Sequence, residues 1–203
     1  MEGSESEQAR RLPPGAHGIP AEVVARNQRE RLAAAVAEAC WEHGYAETSV
    51  ADLAHRAGVS TATFYKLFAD KRECALEAHR ELAGRLAEEV DRACAEGGRG
   101  EAGVRAAVRT VLELFAADAP TARLLTVEVL ALGAAGVARN DAALGAFAGR
   151  LEEASGRMDS ERRVAGWAAL AAASMLIGRR VMAGEAASLP ALEEELVELL
   201  YSR

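Results

Sequence analysis

Aromatic residues are scarce in this 203-residue chain, and no segment alternates apolar and polar residues as a half-buried strand does. Only 4% of the residues are aromatic, whereas 50% are apolar, and the stretches between glycines are rich in Ala, Leu, Arg and Glu. This composition favours helices over strands. We therefore expect an all-α protein.

Cysteines and long apolar runs are also few. The three cysteines, Cys40, Cys74 and Cys94, are too few and too far apart for a disulfide scaffold, and their odd number favours reduced thiols in the cytoplasm. The longest nearly uncharged apolar run, residues 164–178, is shorter than the ~18 to 20 residues that a membrane span requires. The N-terminal segment is rich in acids and prolines, unlike a signal peptide. The sequence therefore predicts a cytoplasmic protein without a membrane partner.

The chain lacks the residue patterns of enzymes and metal centres. It contains no nucleophile elbow and no glycine-rich phosphate loop. Cys40 with His43, and Cys74 with His79, supply pairs of metal ligands where a site needs three or four. We therefore expect no catalytic residues, no cofactor and no bound metal.

Helical periodicity and helix-ending residues divide the chain into about nine helices in three regions. Residues 1–20 lack apolar periodicity and are expected to form a flexible arm, and residues 21–70 and 71–203 are expected to form two helical domains. The predicted helices cover residues 21–44, 50–57, 61–68, 71–94, 101–117, 121–133, 137–156, 160–184 and 190–202.

Two short helices around Gly58 form a predicted helix-turn-helix, the arrangement that places its second helix in the DNA major groove. Phe64 and Phe68 lie one turn apart and are expected to face inward. The opposite face carries small or polar residues that can approach base edges and phosphates, namely Thr61, Ala62, Thr63, Tyr65 and Lys66. Lys71, at the start of the next helix, combines a cation with the positive end of a helix dipole, which suits a phosphate.

The segments 44–54 (GYAETSVADLA) and 57–71 (AGVSTATFYKLFADK) strongly resemble the N-terminal domain of TetR-family (tetracycline-repressor-like) transcription regulators. The resemblance covers roughly residues 22–78. It implies that Thr61, Ala62 and Lys66 face the major groove. It also implies phosphate contacts at Thr48, Ser49, Thr63, Tyr65 and Lys71.

The charge of the chain is a test of this interpretation. The formal net charge is −7, from 24 basic and 31 acidic residues, so the protein is no basic nucleic-acid coat and any DNA contact must be local. Arg10 and Arg11 on the predicted arm either contact the minor groove or belong to a solubilising tail.

A homodimer is expected because one short recognition helix offers two good base contacts, worth ~1 to 3 kcal/mol each, where specific binding needs ~4 to 10 kcal/mol. Residues 164–177 are apolar around most of the helix, and the last helix carries Leu192, Leu196, Leu199 and Leu200 on one side. We expect these last two helices to form a four-helix bundle across a two-fold axis, as in the family. A ligand that tilts the fourth helix would then change the spacing of the recognition helices.

The resemblance also implies an effector pocket in the second domain. Its candidate lining residues are Phe115, Glu128, Phe147 and Trp167, although packing in the core is the more common role for each of them. Glu128 lies in an apolar run, where it either pairs with Arg123 or awaits a cationic ligand, and the pair is favoured. The predicted function is a ligand-responsive repressor that binds a palindromic operator as a dimer. The alternative is an activator or architectural DNA-binding protein of the same fold.

Overall fold

The computed structural model describes residues 20–156 and 163–201, without the side chains of residues 163–165. Residues 1–19, which hold most of the predicted arm with Arg10 and Arg11, lie outside this range. The described residues contain no strand and form nine α-helices, so the all-α prediction is confirmed. These are α1 (Ala21–Glu47), α2 (Val50–Arg56), α3 (Thr61–Leu67), α4 (Lys71–Gly97), α5 (Glu101–Ala117), α6 (Ala119–Thr126), α7 (Ala134–Ser155), α8 (Arg163–Met182) and α9 (Glu193–Tyr201).

Two of the predicted helices are shorter in the structure, because part of each is a 3₁₀ segment. The helix predicted at 121–133 ends at Thr126 and is followed by a 3₁₀ turn over Glu128–Leu132. The helix predicted at 190–202 begins only at Glu193, after a 3₁₀ segment over Ala186–Leu192 that contains Pro190. Proline has no N–H for the helical hydrogen bond, which favours the irregular entry to α9.

Side-chain caps start α2, α3 and α4 at the predicted residues. The Ser49 hydroxyl accepts from the N–H of Asp52 at 3.1 Å, and the Ser60 hydroxyl accepts from the N–H of Thr63 at 3.0 Å. The Asp70 carboxylate accepts from the N–H of Glu73 at 2.8 Å. Each such cap contributes about 1 kcal/mol.

The turn between α2 and α3 depends on Gly58. Its φ of +60° is the left-handed conformation that glycine adopts without steric cost. This conformation lets the N–H of Val59 reach back to the Ala54 carbonyl at 2.9 Å, which closes the end of α2. Val59 also packs against the neighbouring core, and α3 therefore starts in a fixed direction.

One hydrophobic core joins the N-terminal domain to the beginning of the second domain. It contains Leu32 and Val36 of α1, Phe64 of α3 and Ala78 of α4, together with Leu124 of α6. A second core lies among α4, α5, α6, α8 and α9. The helix α4 contributes to both cores, with Ala78 in the first and Val90 in the second.

None of the helices in the described ranges is both long enough and apolar enough to span a membrane.

Candidate DNA-reading surface and ligand cavity

The outward face of α3 is formed by four exposed residues, Thr61, Ala62, Tyr65 and Lys66. Their spacing along the helix places them on one side, and we call this set the reading face. On the opposite side Phe64 is fully buried, and its ring centroid lies 5.7 Å from that of Phe68. The two phenylalanines therefore hold α3 against the core in the orientation that the sequence predicts.

Hydroxyl groups border the reading face. Ser49 is exposed at the start of α2, and Thr63 is half-buried with its Oγ1 atom 2.9 Å from the Ser60 Oγ atom. Ser49, Thr63 and the Tyr65 phenol lie on the side of the domain where α2 and α3 begin. The free backbone N–H groups of these first helical turns favour anions.

Thr48 lies beneath this surface rather than on it. Its side chain is buried, and its hydroxyl donates to the Gly44 carbonyl at 2.9 Å. In this conformation the hydroxyl closes the end of α1, and the phosphate contact that the family resemblance implies for Thr48 stays a prediction.

Lys71 also differs from the expectation. Its Nζ atom donates to the carbonyls of Tyr45, Ala46 and Thr48 at 3.2, 3.1 and 2.9 Å, and it lies 4.7 Å from the centroid of the Tyr45 ring. An ammonium group has three N–H donors, and these carbonyls occupy all of them. Lys71 thus ties the start of α4 to the end of α1, where helix carbonyls lack partners, instead of presenting its charge to a phosphate.

The Lys71→Ala variant is expected to lose about 1 to 3 kcal/mol of folding free energy, because it leaves carbonyl groups without a donor. Urea unfolding followed by circular dichroism would measure this loss. Lys66→Ala is the matched control, since Lys66 is exposed and its removal should change stability by less than about 0.5 kcal/mol. Unchanged stability of Lys71→Ala with uniformly weakened DNA binding would instead restore the phosphate role.

A cavity of about 400 Å³ lies in the second domain, between α4, α5, α6, α7, α8 and α9. Its wall is mainly apolar and includes Leu86, Leu112, Phe115, Leu125, Phe147 and Ile177. Phe115 and Phe147 are thus placed where the sequence analysis expects them. A cavity of this size and character is typical of sites for small apolar ligands.

The polar part of the wall comes from α4 and α7. Arg80 pairs with Glu77 at 2.9 Å, and Arg150 pairs with Asp91 at 2.7 Å. Arg139 also lies in the wall, and its positive charge contributes to lowering the pKa of Glu77. The cavity is therefore apolar over most of its surface, with three arginines at its polar part.

His79 of α4 lies in the same wall and is 1% exposed. Burial, together with the charge of Arg139, lowers the pKa of its imidazole to about 4, so the ring is neutral at pH 7. The nearby Leu125 backbone raises this pKa slightly, and the Nδ1 atom of the ring is buried without a hydrogen-bond partner in the described part of the chain.

Two of the predicted cavity residues lie elsewhere. Glu128 is buried and pairs with Arg123, with 2.7 Å between its Oε1 atom and Nη2, as the favoured interpretation of the sequence states. Trp167 is 41% exposed on the outer side of α8. Because α8 is apolar on several sides, the sequence pattern does not distinguish its inner from its outer face.

The Arg123–Glu128 pair replaces a backbone hydrogen bond in α1. Gly44 has a φ of +80°, which interrupts the helix. The N–H of Tyr45, which would donate to the Trp41 carbonyl in a regular helix, donates to Glu128 at 2.9 Å. The Trp41 carbonyl instead accepts from Arg123 at 2.9 Å. We call these five residues the Gly44 latch, which connects α1 to the segment following α6.

The outer face of α8 carries an apolar stripe that the exposed Arg179 interrupts. Met175 and Met182 are 69% and 52% exposed, and Ala168 and Ala172 lie on the same side at helical spacing. By contrast, Leu196 and Val197 of α9 are buried in the core of their own chain, with Glu194, Glu195 and Glu198 exposed. Leu199 and Leu200 of the same helix are half-buried, and the predicted four-helix bundle across a two-fold axis stays a prediction.

Two of the cysteines, Cys40 and Cys74, are free thiols buried in the core. Burial raises the pKa of both Cys40 and Cys74 to about 12, which keeps them protonated at neutral pH. Within the two described ranges, no three or more potential ligands converge as a metal site requires.

Comparison with known proteins agrees with this geometry. Residues 32–78 match the family model of bacterial regulatory proteins, tetR family. The chain is similar to the structure of the fatty acid degradation regulator FadR from Bacillus halodurans, with 21% identity, 86% of this chain and 94% of that chain covered, and a TM-score of 0.75. No curated protein matches the sequence.

Two further similar structures contain bound ligands. The transcriptional regulator FadR from Bacillus subtilis, in complex with stearoyl-CoA, shares 20% identity over 85% of this chain and 97% of that chain, with a TM-score of 0.71. Thermus thermophilus FadR, a TetR-family transcriptional repressor in complex with lauroyl-CoA, shares 24% identity over 85% of this chain and 92% of that chain, with a TM-score of 0.61. The helix-turn-helix thus lies within the stretch that matches the tetR family model, and the chain has the fold of the solved TetR-family transcriptional regulators.

Proposed function

We propose that this protein is a ligand-responsive transcriptional repressor that binds a palindromic operator as a homodimer. The observation that carries the proposal is the reading face, which α3 presents to solvent while Phe64 anchors the helix from behind. Thr61, Ala62 and Lys66 contact base edges in the major groove, because they combine donors with a methyl group that suits thymine. Ser49, Thr63 and Tyr65 bind phosphates and fix the register of the domain on the duplex.

Lys66→Ala is expected to change which operator bases are preferred, with an effect of about 1 to 3 kcal/mol at the position that Lys66 contacts. The measurement is fluorescence anisotropy with a panel of operators that differ in single base pairs. Lys66→Arg serves as the matched control, since it keeps the charge but changes the geometry. Equal weakening on every operator would show that Lys66 binds only phosphate.

The dimer is formed mainly by the apolar stripe on α8. Two copies of the reading face supply the specificity that one copy lacks. In the monomer the stripe on α8 is exposed to solvent, and dimer formation would remove this apolar surface from water. In a two-fold dimer the same stripe from each subunit meets across the axis.

Met175→Glu is therefore expected to raise the dimer dissociation constant at least tenfold, because a carboxylate from each subunit would replace an apolar contact across the axis. Sedimentation equilibrium over a range of micromolar concentrations would measure this change. Ala102→Glu, on the exposed side of α5, is the control and should leave the constant unchanged. A Met175→Glu variant that dimerises like the unmodified protein would exclude α8 as the interface.

The effector is an amphiphile with a long hydrocarbon chain. The apolar wall of the cavity suits the chain, and the charge of Arg139 suits an anionic head. The acyl-CoA complexes of two proteins with the same fold support a ligand of this class. Lauroyl-CoA and stearoyl-CoA are the first probes to test.

Ligand binding is transmitted to DNA through α4 and the Gly44 latch. Leu125 and Thr126 line the cavity and lie between Arg123 and Glu128 in the chain, so a shift of this segment displaces the latch. Because half-sites lie ~34 to 36 Å apart, a small rotation of each domain removes the match to both half-sites.

An electrophoretic mobility shift assay with and without the two acyl-CoA probes tests this mechanism. The expected result is release of DNA at concentrations that saturate the cavity. A complex that binds the ligand but retains DNA would identify an activator instead, and absence of ligand binding would exclude acyl-CoA as the effector.

A further inference from the structure

The exposed residues of the cavity wall show where the cavity opens to solvent. Among the described residues of this wall, four are exposed, and they belong to two helices: Arg80 and Gly84 of α4, and Ala142 and Ala146 of α7. The other wall residues are buried or half-buried. A residue that lines a cavity and is also exposed lies at its mouth, so the cavity opens between α4 and α7.

The apolar side of this opening has little side-chain volume. Glycine is unfavourable inside a helix, and the backbone at Gly84 has no positive φ that would require it. A Cβ atom placed on Gly84 would meet no atom beyond its own helical neighbours within 4 Å, so the space beside it is open. Ala142 and Ala146 lie one turn apart on α7 and border the opening with methyl groups alone.

Charged residues show how α4 and α7 lie alongside each other here. Arg150 of α7 donates to both carboxylate oxygens of Asp91 on α4, at 2.7 and 3.2 Å. Earlier on α4, the pKa of the Glu77 carboxylate is lowered by Arg80 and also by the charge of Arg139 on α7. The exposed small residues lie between these two places in both helices, so they face each other across the opening.

The inner end of the cavity has the opposite character. Its wall there consists of buried apolar side chains, which include Leu112 of α5, Leu170 and Ile177 of α8, and Leu196 of α9. The three arginines of the wall all belong to the helices that border the opening. A hydrocarbon chain is therefore favoured at the inner end, and a polar or anionic head at the opening.

We propose that the ligand enters chain first through a portal bordered by Gly84, Ala142 and Ala146, and that its head group remains at this portal. The hydrogen atom of Gly84 keeps the portal open from the α4 side, so this residue determines whether a chain is admitted. Because the head is not enclosed, a single-chain amphiphile with a large head fits as well as one with a small head. This inference rests on the proposed ligand-binding function and adds the route and the orientation of the ligand.

The portal is tested with anilinonaphthalene sulfonate, an apolar anion that fluoresces on apolar protein surfaces, so the test does not depend on the natural effector. In stopped-flow fluorescence, Gly84→Phe should lower the association rate constant about tenfold, because binding then requires the ring to move aside. Ala142→Phe should act in the same way from the α7 side.

Gly145→Phe is the matched control, because Gly145 is also an exposed helical glycine with open space around it but does not line the cavity. It should bind the probe at the unmodified rate. The stripe on α8 is unchanged in all three variants, so a difference between them reports the cavity. Equal rates in Gly84→Phe and Gly145→Phe would overturn the portal.

The position of the head group is tested by labelling Gly84→Cys with a charged maleimide and locating the label by peptide mass spectrometry. At a lauroyl-CoA concentration about ten times its Kd, labelling should slow about tenfold, since only the free protein reacts. Dodecanoate, with its small head, should protect much less, and Gly145→Cys should be labelled at one rate throughout. Unchanged labelling of Gly84→Cys with lauroyl-CoA bound would contradict a head group at the portal.

If Gly84→Phe fails to fold, Ala142→Phe and the cysteine labelling still decide. Neither measurement contains DNA, so failure of the portal is distinguishable from failure of the repressor function. Probe entry that Gly84→Phe blocks, in a protein that keeps its operator when acyl-CoA is added, would retain the portal and remove the proposed function. Operator release by acyl-CoA, with equal probe rates in Gly84→Phe and Gly145→Phe, would retain the function and remove the portal.

Discussion

Replacing Phe64 with alanine is expected to lower the free energy of unfolding by about 3 to 5 kcal/mol, in the range found for large aromatic residues removed from cores. Phe64 is fully buried, and it is the largest such side chain among the residues that the structure describes. Its ring contacts Phe68 and Tyr65, with centroid distances of 5.7 and 5.5 Å. Its removal therefore leaves a cavity directly behind the reading face.

The same change is expected to abolish specific DNA binding, because α3 loses the contact that fixes its orientation. Urea unfolding and operator binding should be measured on the same preparation. Tyr65→Ala is the matched control, since Tyr65 is adjacent but 57% exposed. It should weaken DNA binding with little change in stability. A Phe64→Ala protein within about 1 kcal/mol of the unmodified stability would contradict the role of this core.

Glu128→Gln is expected to cost about 3 kcal/mol of stability, because it leaves the Arg123 guanidinium without its carboxylate in a largely buried setting. Glutamine can still accept the N–H of Tyr45, so the variant removes mainly the charge of the latch. The matched control is Glu81→Gln, which breaks the more exposed ion pair with Arg85 on α4. That pair is worth about 0.5 kcal/mol.

If the latch transmits the ligand signal, Glu128→Gln should change the coupling between ligand binding and DNA binding, which an ordinary ion pair would not do. The Glu128→Gln variant should bind lauroyl-CoA with nearly unchanged affinity, because Glu128 is not in the cavity wall. The factor by which the ligand reduces operator affinity should nevertheless fall at least fivefold, a coupling change of about 1 kcal/mol. An unchanged coupling factor would show that the signal passes through α4 alone.

Features set by short-range spacing were predictable from the sequence. The caps at Ser49, Ser60 and Asp70 depend on residues three positions apart, and the inward direction of Phe64 and Phe68 depends on one helical turn. The helix-turn-helix and its exposed residues follow from these local rules. The same reasoning predicts the number of helices, since glycine and proline separate most of them.

Contacts between distant segments were not predictable in the same way. Lys71 binds carbonyls 23 to 26 residues away, and Glu128 binds the N–H of Tyr45 across 83 residues. A lysine at the start of a helix matches the local pattern for phosphate binding. The sequence does not show that carbonyls from the end of another helix lie within reach of its ammonium group. The Gly44 latch had a partial signal, because a glutamate in an apolar run requires a partner. Its connection to the break at Gly44 required the tertiary structure.

Selection of binding sites from random double-stranded DNA by the purified protein is the most direct test of the central claim, that two copies of the reading face bind one operator. The account predicts enrichment of a palindrome whose half-sites are centred about 10 base pairs, or one helical turn, apart. Enrichment should be lost in the Ala62→Glu variant, which places a carboxylate on the reading face against the DNA. Enrichment of a single asymmetric site, or an unchanged palindrome with Ala62→Glu, would contradict the account.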